Sequence, residues 1–285
     1  MPAVDATVIA TYSRRMRLRT ADGSEVDARI KGKKLRPVCG DHVDAQSLPD
    51  EPDWIITAIH PRRNVLDRPN NRGKTEVLAA NVDLLVVVAA ATPKPDGFIV
   101  DRYLCAAELM SAKAAVVFNK TDLAQAADSD ILDVYQQLGY ATFATSAIDG
   151  SGIDALAQLL KDQVALIVGQ SGVGKSSIIN YISDISQQKT GTISGKSGEG
   201  RHTTVNSAML PLSGGGYIID SPGVRDYAPA LSSQQDAANG YREVRNAAVN
   251  CRFANCKHLR EPGCAIKAAV ENGQIDERRY ESYRR

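Results

Sequence analysis

Through the first 65 residues, short apolar stretches alternate with polar positions at 4–12, 14–19, 25–29, 38–45 and 54–60. Period-two alternation over such lengths predicts β-strands. Asp22-Gly23 falls between the second and third and marks a hairpin turn. Five short strands in so little chain predict a small closed all-β barrel of the OB-fold kind. Residues 61–81 are polar and rich in Pro, Asn, Arg and Gly, and are expected to form a linker. The period then changes. Apolar runs at 82–91, 114–118, 140–144 and 164–168 read as buried strands, while 98–112, 131–138 and 153–161 carry apolar residues at helical spacing. Strands alternating with helices predict a mainly parallel α/β sheet that takes ligand at the carboxyl ends of its strands. Residues 187–201 are polar, Gly-rich and without periodicity, and are expected to be mobile. Two further strands, 205–212 and 217–219, flank three glycines, and from about residue 231 the pattern turns helical and polar. The expected domains are a barrel over 1–65, an α/β domain over 66–228 and a small, mostly helical domain over 229–285.

Composition narrows the class only a little. The chain has 285 residues, 43% hydrophobic and 24% charged, which is ordinary for a globular protein. With a formal net charge of +1, any nucleic-acid surface must be local. The longest apolar run, 84–91, is too short to cross a bilayer, and the first residues lack a signal-peptide apolar segment. A cytoplasmic protein without a membrane partner is expected. Of the five cysteines, three crowd beside a histidine late in the chain, which points to metal rather than disulfides. Cys39 and Cys105 read as core residues.

The chemistry centres on Gly169, Gln170, Ser171, Gly172, Val173, Gly174, Lys175, Ser176 and Ser177. They spell GQSGVGKSS between an apolar strand and a helix start, the setting a P-loop needs. Its amides and the helix N-terminus cradle phosphate oxygens. Lys175 should reach the β- and γ-phosphates, and Ser176 should hold Mg²⁺. Asn119, Lys120, Thr121 and Asp122 (NKTD) follow the 114–118 strand as a guanine-reading element. Asp122 would accept from the guanine N1–H and 2-amino groups, and adenine would leave it unpaired. Ser146 and Ala147 end the next strand and would offer a backbone N–H to guanine O6. Asp220, with Gly223 three residues on, has the DxxG form. Asp220 would hold Mg²⁺ through water and the Gly223 N–H would touch the γ-phosphate, while Thr203 or Thr204 would ligate Mg²⁺ from the mobile loop. A glutamine often follows DxxG to orient the attacking water; here that place is Val224, and His202 is the candidate to take over. The order is permuted: NKTD and Ser146-Ala147 come before the P-loop, the threonines and DSPG.

Cys251, Cys256, His258 and Cys264 supply three thiolates and an imidazole within fourteen residues, a closed tetrahedral set suited to one structural Zn²⁺. Over residues 12–36, nine basic residues face three acids. Arg15, Arg17 and Arg19 alternate onto one face, and Lys31, Lys33 and Lys34 follow. Such a face is either a solvated strand surface or an RNA-binding one.

Together these motifs resemble the RsgA (YjeQ) family: GxxxxGKS and NKxD in permuted order, GRHTT, and C-x4-C-x-H-x5-C behind a barrel. The usual DTPG is DSPG here, and the threonine run ends at Val205. The resemblance covers nearly the whole chain. It implies an OB-fold barrel, a permuted Ras-like domain and a C-terminal zinc domain. It also implies a GTP hydrolase that binds GTP and GDP, contacts the rRNA of the small ribosomal subunit, assists the subunit's late maturation and is stimulated by it. The alternatives are a GTP-gated RNA-binding switch or a signalling GTPase with a protein partner. A monomer is expected.

Overall fold

The computed structural model describes residues 3–13, 15–32, 34–49, 51–69, 75–123, 131–190, 205–220 and 234–285. The chain divides into two compact units: Met1–Asp83, Ala157–Leu166 and Ile179–Tyr227 in one, Leu84–Leu156, Ile167–Ile178 and Ala228–Arg285 in the other.

The first unit holds the barrel. Its strands are β1 (Val4–Tyr12), β2 (Met16–Thr20), β3 (Glu25–Ile30), β4 (His42–Gln46) and β5 (Trp54–Ile59). β1 pairs with both β2 and β4, β2 with β3, β3 in parallel with β5, and β5 with β4, so the sheet closes on itself. Closure leaves these five strands no free edge. Alternation sets the core: Val8, Leu18, Ala28, Val43, Ala45 and Ile56 are fully buried, while Arg17 and Arg19 point outward. The fourth strand starts later than its apolar residues suggest. Gly40 adopts φ +90°, and a Cβ there would lie 2.1 Å from the Ala80 carbonyl. Only glycine fits that turn. Buried Asp41 holds it by accepting from Val38 N–H at 2.8 Å and from Arg62 Nε at 2.7 Å.

The expected linker is instead largely a hairpin, β6 (Val65–Pro69) against antiparallel β7 (Thr75–Ala80). Its apolar residues explain it: Leu66, Leu78, Ala79 and Ala80 are buried. Beyond it in this unit, β12 (Val205–Pro211) and β13 (Tyr217–Asp220) form a second antiparallel hairpin. β12 also pairs antiparallel with β1, and β13 runs parallel to Val164, Ala165 and Leu166 of β11 (Val164–Gly169).

In the second unit, β9 (Lys113–Asn119) lies in parallel between β8 (Leu84–Ala90) and β10 (Ala141–Ala144). Every β8 residue is buried, as a central parallel strand requires. The helices are α1 (Gly97–Leu109), α2 (Ile131–Gln137), α3 (Ile153–Leu160) and α4 (Lys175–Thr190), the last two contributing to both units. α4 carries the chain further in helix than the lack of periodicity from 187 suggests. Then come α5 (Gln234–Gly240), α6 (Arg242–Ala248), α7 (Ala265–Glu271) and α8 (Glu277–Arg284). Cys105 of α1 shares a core with Ala237, Val244, Ile266 and Tyr283 from these last four helices and with Tyr241 between α5 and α6. Beside that core, Asp101 of α1 is fully buried and accepts from Arg279 at 2.9 Å, Arg278 at 2.5 Å, Tyr135 Oη at 2.8 Å and Ser282 Oγ. Arg279, 1% exposed, also donates to Glu243 at 2.7 Å. A buried charge without partners is costly; here two arginines meet two carboxylates. Among the described residues no helix is long and apolar enough to cross a membrane.

Candidate active site and metal centre

The strand–loop–helix that begins with β11 makes a phosphate cradle. Gly169, Gly172 and Gly174 take φ values of +135°, +80° and +94°. A Cβ at Gly169 would sit 2.1 Å from the Val88 carbonyl, and one at Gly174 would sit 2.3 Å from Asn119 Nδ2. Lys175 starts α4 and lies buried over the loop, with Nζ donating to the Gly169 carbonyl at 2.7 Å and to that of Gln170. Ser171, Gly172, Ser176 and Ser177 are exposed, and Val173 is buried. Ser176 stands exposed in the first turn of α4.

The residues expected to read guanine stand at the ends of β9 and β10. Asn119 is 1% exposed and donates to the Val173 carbonyl at 2.9 Å, while its own Oδ1 accepts from Thr145 Oγ1 at 3.1 Å. It braces the P-loop rather than facing solvent. Lys120 adopts φ +64° and reaches back to the Thr92 carbonyl at 2.7 Å. Thr121 N–H donates to the Thr145 carbonyl at 3.1 Å, joining the two loops. Asp122 is exposed, and Ser146 Oγ donates to its Oδ1 at 2.7 Å. The Ser146 N–H is taken by the Ser151 carbonyl at 3.0 Å. Ser151 N–H, donating at 2.8 Å, holds the Asp149 carboxyl below its usual range.

One contact has no mark in the sequence. The side chain of Gln170 accepts from Asp96 N–H at 3.1 Å, and Asp96 caps α1 through Phe98 N–H at 2.9 Å. The P-loop is thus tied to the start of α1 by a side chain that the motif leaves unspecified. Asp220 ends β13 in the first unit, one residue past Ile219, which is level with Leu166 of β11. His202, Thr203, Thr204, Gly223 and Val224 lie outside the described residues.

The P-loop and the two loops at the ends of β9 and β10 therefore share one unit, with those two loops first in the chain. The model of the RsgA GTPase family matches residues 59–229. The chain belongs to the RsgA GTPase family. RsgA relatives align along almost all of it. The small ribosomal subunit biogenesis GTPase RsgA of Histophilus somni strain 129Pt is 38% identical over 288 residues, covering 99% of this chain and 82% of the relative. That of Pseudomonas aeruginosa strain LESB58 is 37% identical over 287 residues, covering 99% and 84%. Among solved structures, YjeQ from Thermotoga maritima matches with a TM-score of 0.78 at 29% identity, over 99% of this chain and 96% of that one. YloQ, described as a circularly permuted GTPase, matches with a TM-score of 0.71 at 26% identity, over 99% and 92%. As an RsgA GTPase the chain is a GTP hydrolase with a permuted GTPase fold behind an OB-like barrel.

This RsgA chain also holds a candidate metal centre. The ligand atoms of Cys251, Cys256, His258 and Cys264 all lie within 4.8 Å of one another. His258 Nδ1 stands 3.4 Å from Cys251 Sγ and 3.7 Å from Cys264 Sγ. Tetrahedral bonds of about 2.0 and 2.3 Å would separate N and S by about 3.5 Å, so the set fits an ion. The surroundings fix it. Tyr280 Oη donates to the His258 carbonyl at 2.6 Å, and Tyr283 Oη to that of Lys257 at 2.9 Å. The Glu261 carboxylate accepts from Lys257, Leu259 and Arg260 N–H, each at 3.0 Å, and these amides hold its pKa down at about 2. Burial lowers the His258 pKa, which favours the neutral ring a metal needs.

The barrel arginines are already engaged. Arg15 meets Asp53 at 3.2 Å, Arg17 meets Asp27 at 2.7 Å, and Arg19 meets Glu25 at 2.6 Å. Lys31 and Lys34 are exposed, with no ion pair among the described residues, and Lys33 lies outside them. Cys39 and Cys105 are core residues, each thiol pushed up to about 12 by burial.

Proposed function

We propose that this chain binds the small ribosomal subunit, assists its late maturation, and hydrolyses GTP faster when bound there. The observation that carries this is a pair of braced loops, Asn119 donating to the P-loop carbonyl of Val173 and Ser146 to Asp122, in a chain whose curated relatives are named small ribosomal subunit biogenesis GTPases. GTP would displace the carbonyls of Gly169 and Gln170 from Lys175, whose ammonium then meets the β- and γ-phosphates. Ser176, Asp220 and Thr203 or Thr204 would hold Mg²⁺, which supplies charge neutralisation of the phosphates. The Gly223 N–H would meet the γ-phosphate. His202 would orient the attacking water, since Val224 has no polar side-chain group.

The Cys3His set would take one structural Zn²⁺, its four ligands leaving no open position. Residues 1–65 would act as the barrel, 66–228 as the GTPase domain and 229–285 as the zinc domain, in a cytoplasmic monomer. The exposed Lys31 and Lys34, with Lys33, would meet rRNA, and the paired Arg15, Arg17 and Arg19 would contribute less.

The deciding measurement is GTP turnover with and without purified small subunits, together with co-sedimentation. Stimulation by at least about tenfold is expected. Equal rates, with no co-sedimentation, would sink the reading. With saturating subunits, His202→Ala should keep GTP affinity and lose at least about tenfold in rate. A normal rate would move the water-orienting group to the ribosome.

A further inference from the structure

Asp220 is tied to the barrel by backbone as well as by chain order. Ala208 of β12 pairs with Asp220 of β13 on one side and with Ala10 of β1 on the other. At the usual strand spacing, Asp220 is about 10 Å from β1, two ladders away. Val205, which opens β12, pairs with Tyr12 of the same barrel strand. A two-stranded hairpin is marginal by itself, and β1 supplies this one with a further neighbour. The far end of the hairpin is held by a side chain. Tyr217, opposite Pro211, begins β13 three residues before Asp220. The Arg19 guanidinium lies 5.2 Å from the centroid of the Tyr217 ring and donates to its hydroxyl at 2.5 Å. Its other arm donates to Glu25 at 2.6 Å.

The geometry points to Arg19 and Tyr217 as positioning residues for Asp220: they clamp the β12–β13 hairpin, which ends in Asp220, to the barrel. This rests on the reading of Asp220 given above. A guanidinium at the hydroxyl edge of the ring that donates a charge-assisted hydrogen bond to it is strong enough to set a position. A displacement of about 1 Å at a reacting centre is enough to slow chemistry. Arg19 is thereby removed from the set of free cations that could dock on nucleic acid.

The test needs no ribosome. Intrinsic GTP hydrolysis is followed against Mg²⁺ concentration, and GDP affinity is measured separately in EDTA. Arg19→Met is expected to raise the half-saturating Mg²⁺ by about fivefold or more, with GDP affinity unchanged, from loss of the guanidinium's contact with the ring edge and its hydrogen bond. Arg19→Lys should recover part of that shift. Glu25→Gln should behave as wild type, because it leaves the Tyr217 contact in place. An unchanged Mg²⁺ dependence in Arg19→Met, or an equal shift in Glu25→Gln, overturns the proposal. Should Arg19→Met lose its β-sheet circular dichroism, Tyr217→Phe decides alone: it keeps the ring, loses the hydroxyl, and should still raise the Mg²⁺ requirement by about twofold. No change there overturns the clamp. Asp220→Asn separates the two failures, since wild-type Mg²⁺ dependence in that variant would remove Asp220 from the metal and spare no reading of the clamp.

Discussion

At Asp122, Ser146 Oγ occupies one lone pair of Oδ1 at 2.7 Å, which orients the carboxylate and leaves acceptor capacity for a base edge. Asp122→Asn should therefore weaken GTP binding by about two orders of magnitude or more and improve xanthosine nucleotides, whose 2-oxo group accepts from an amide. Competition titrations with GTP and XTP check this, and unchanged affinities would take Asp122 out of the base site. Asp101 makes a second residue-scale prediction. Asp101→Ala leaves Arg279, 1% exposed, with Glu243 as its remaining carboxylate partner, and should cost about 3–5 kcal/mol in urea unfolding. The P-loop and NKTD residues were legible because each motif is contiguous and its chemistry is local. The Gln170 contact was not, because Asp96 lies 74 positions away. Arg17 and Arg19 read as a free basic face for a related reason: the acids that engage them, Glu25 and Asp27, sit on the next strand, and cross-strand register leaves no mark in a charge count.

Among the elements, the P-loop turn tolerates least. Gly174→Ala would place a methyl group 2.3 Å from Asn119 Nδ2 at φ +94°. The brace to Val173 would break, and nucleotide affinity should fall at least about tenfold while the overall fold survives; fluorescent GDP binding beside circular dichroism tests both halves. The metal loop carries another expectation. Purified protein should contain one zinc per chain, and Cys256→Ser should loosen α6–α8 and reduce stimulation by small subunits. Plasma emission analysis that finds no zinc would end that assignment. Element types were legible where the period was clean, as along β8 and α1. The β6–β7 hairpin is hidden in the sequence because composition outweighs its apolar residues: Leu66 and Leu78 are buried, yet they stand among charged and turn-forming neighbours. The late start of β4 came from a Gly40 turn whose need for glycine is set by the Ala80 carbonyl, far off in sequence.

Taken as a whole, the chain is nearly neutral, and its barrel cations are largely paired. Charge reversal at Arg15, Arg17 and Arg19 would set like charges beside Asp53, Asp27 and Glu25 and weaken the barrel itself. Alanine at Lys31, Lys33 and Lys34 is the cleaner change. It should weaken small-subunit binding and flatten its salt dependence while GTP affinity holds; an unaltered salt slope would place docking elsewhere. The permuted order was visible in the motifs alone. That the hairpin ending in Asp220 falls in the same compact unit as the barrel was not, because the pairing of Ala10 with Ala208 depends on a register that no local pattern encodes.

Synthesis of the chain gives the buried Asp101 a further significance. Its carboxylate is made long before its charged partners: Tyr135 follows 34 positions later, but Arg279 lies 178 positions downstream, and Ser282 lies 181. At about 5–20 residues per second, that delay lasts on the order of ten to thirty-five seconds. Until then, a carboxylate with no cation beside it cannot leave water cheaply, so this face of α1 must stay wet. The nascent chain can assemble its guanine loops early, but it cannot seal the helix beside them until the Arg278–Ser282 stretch has been made.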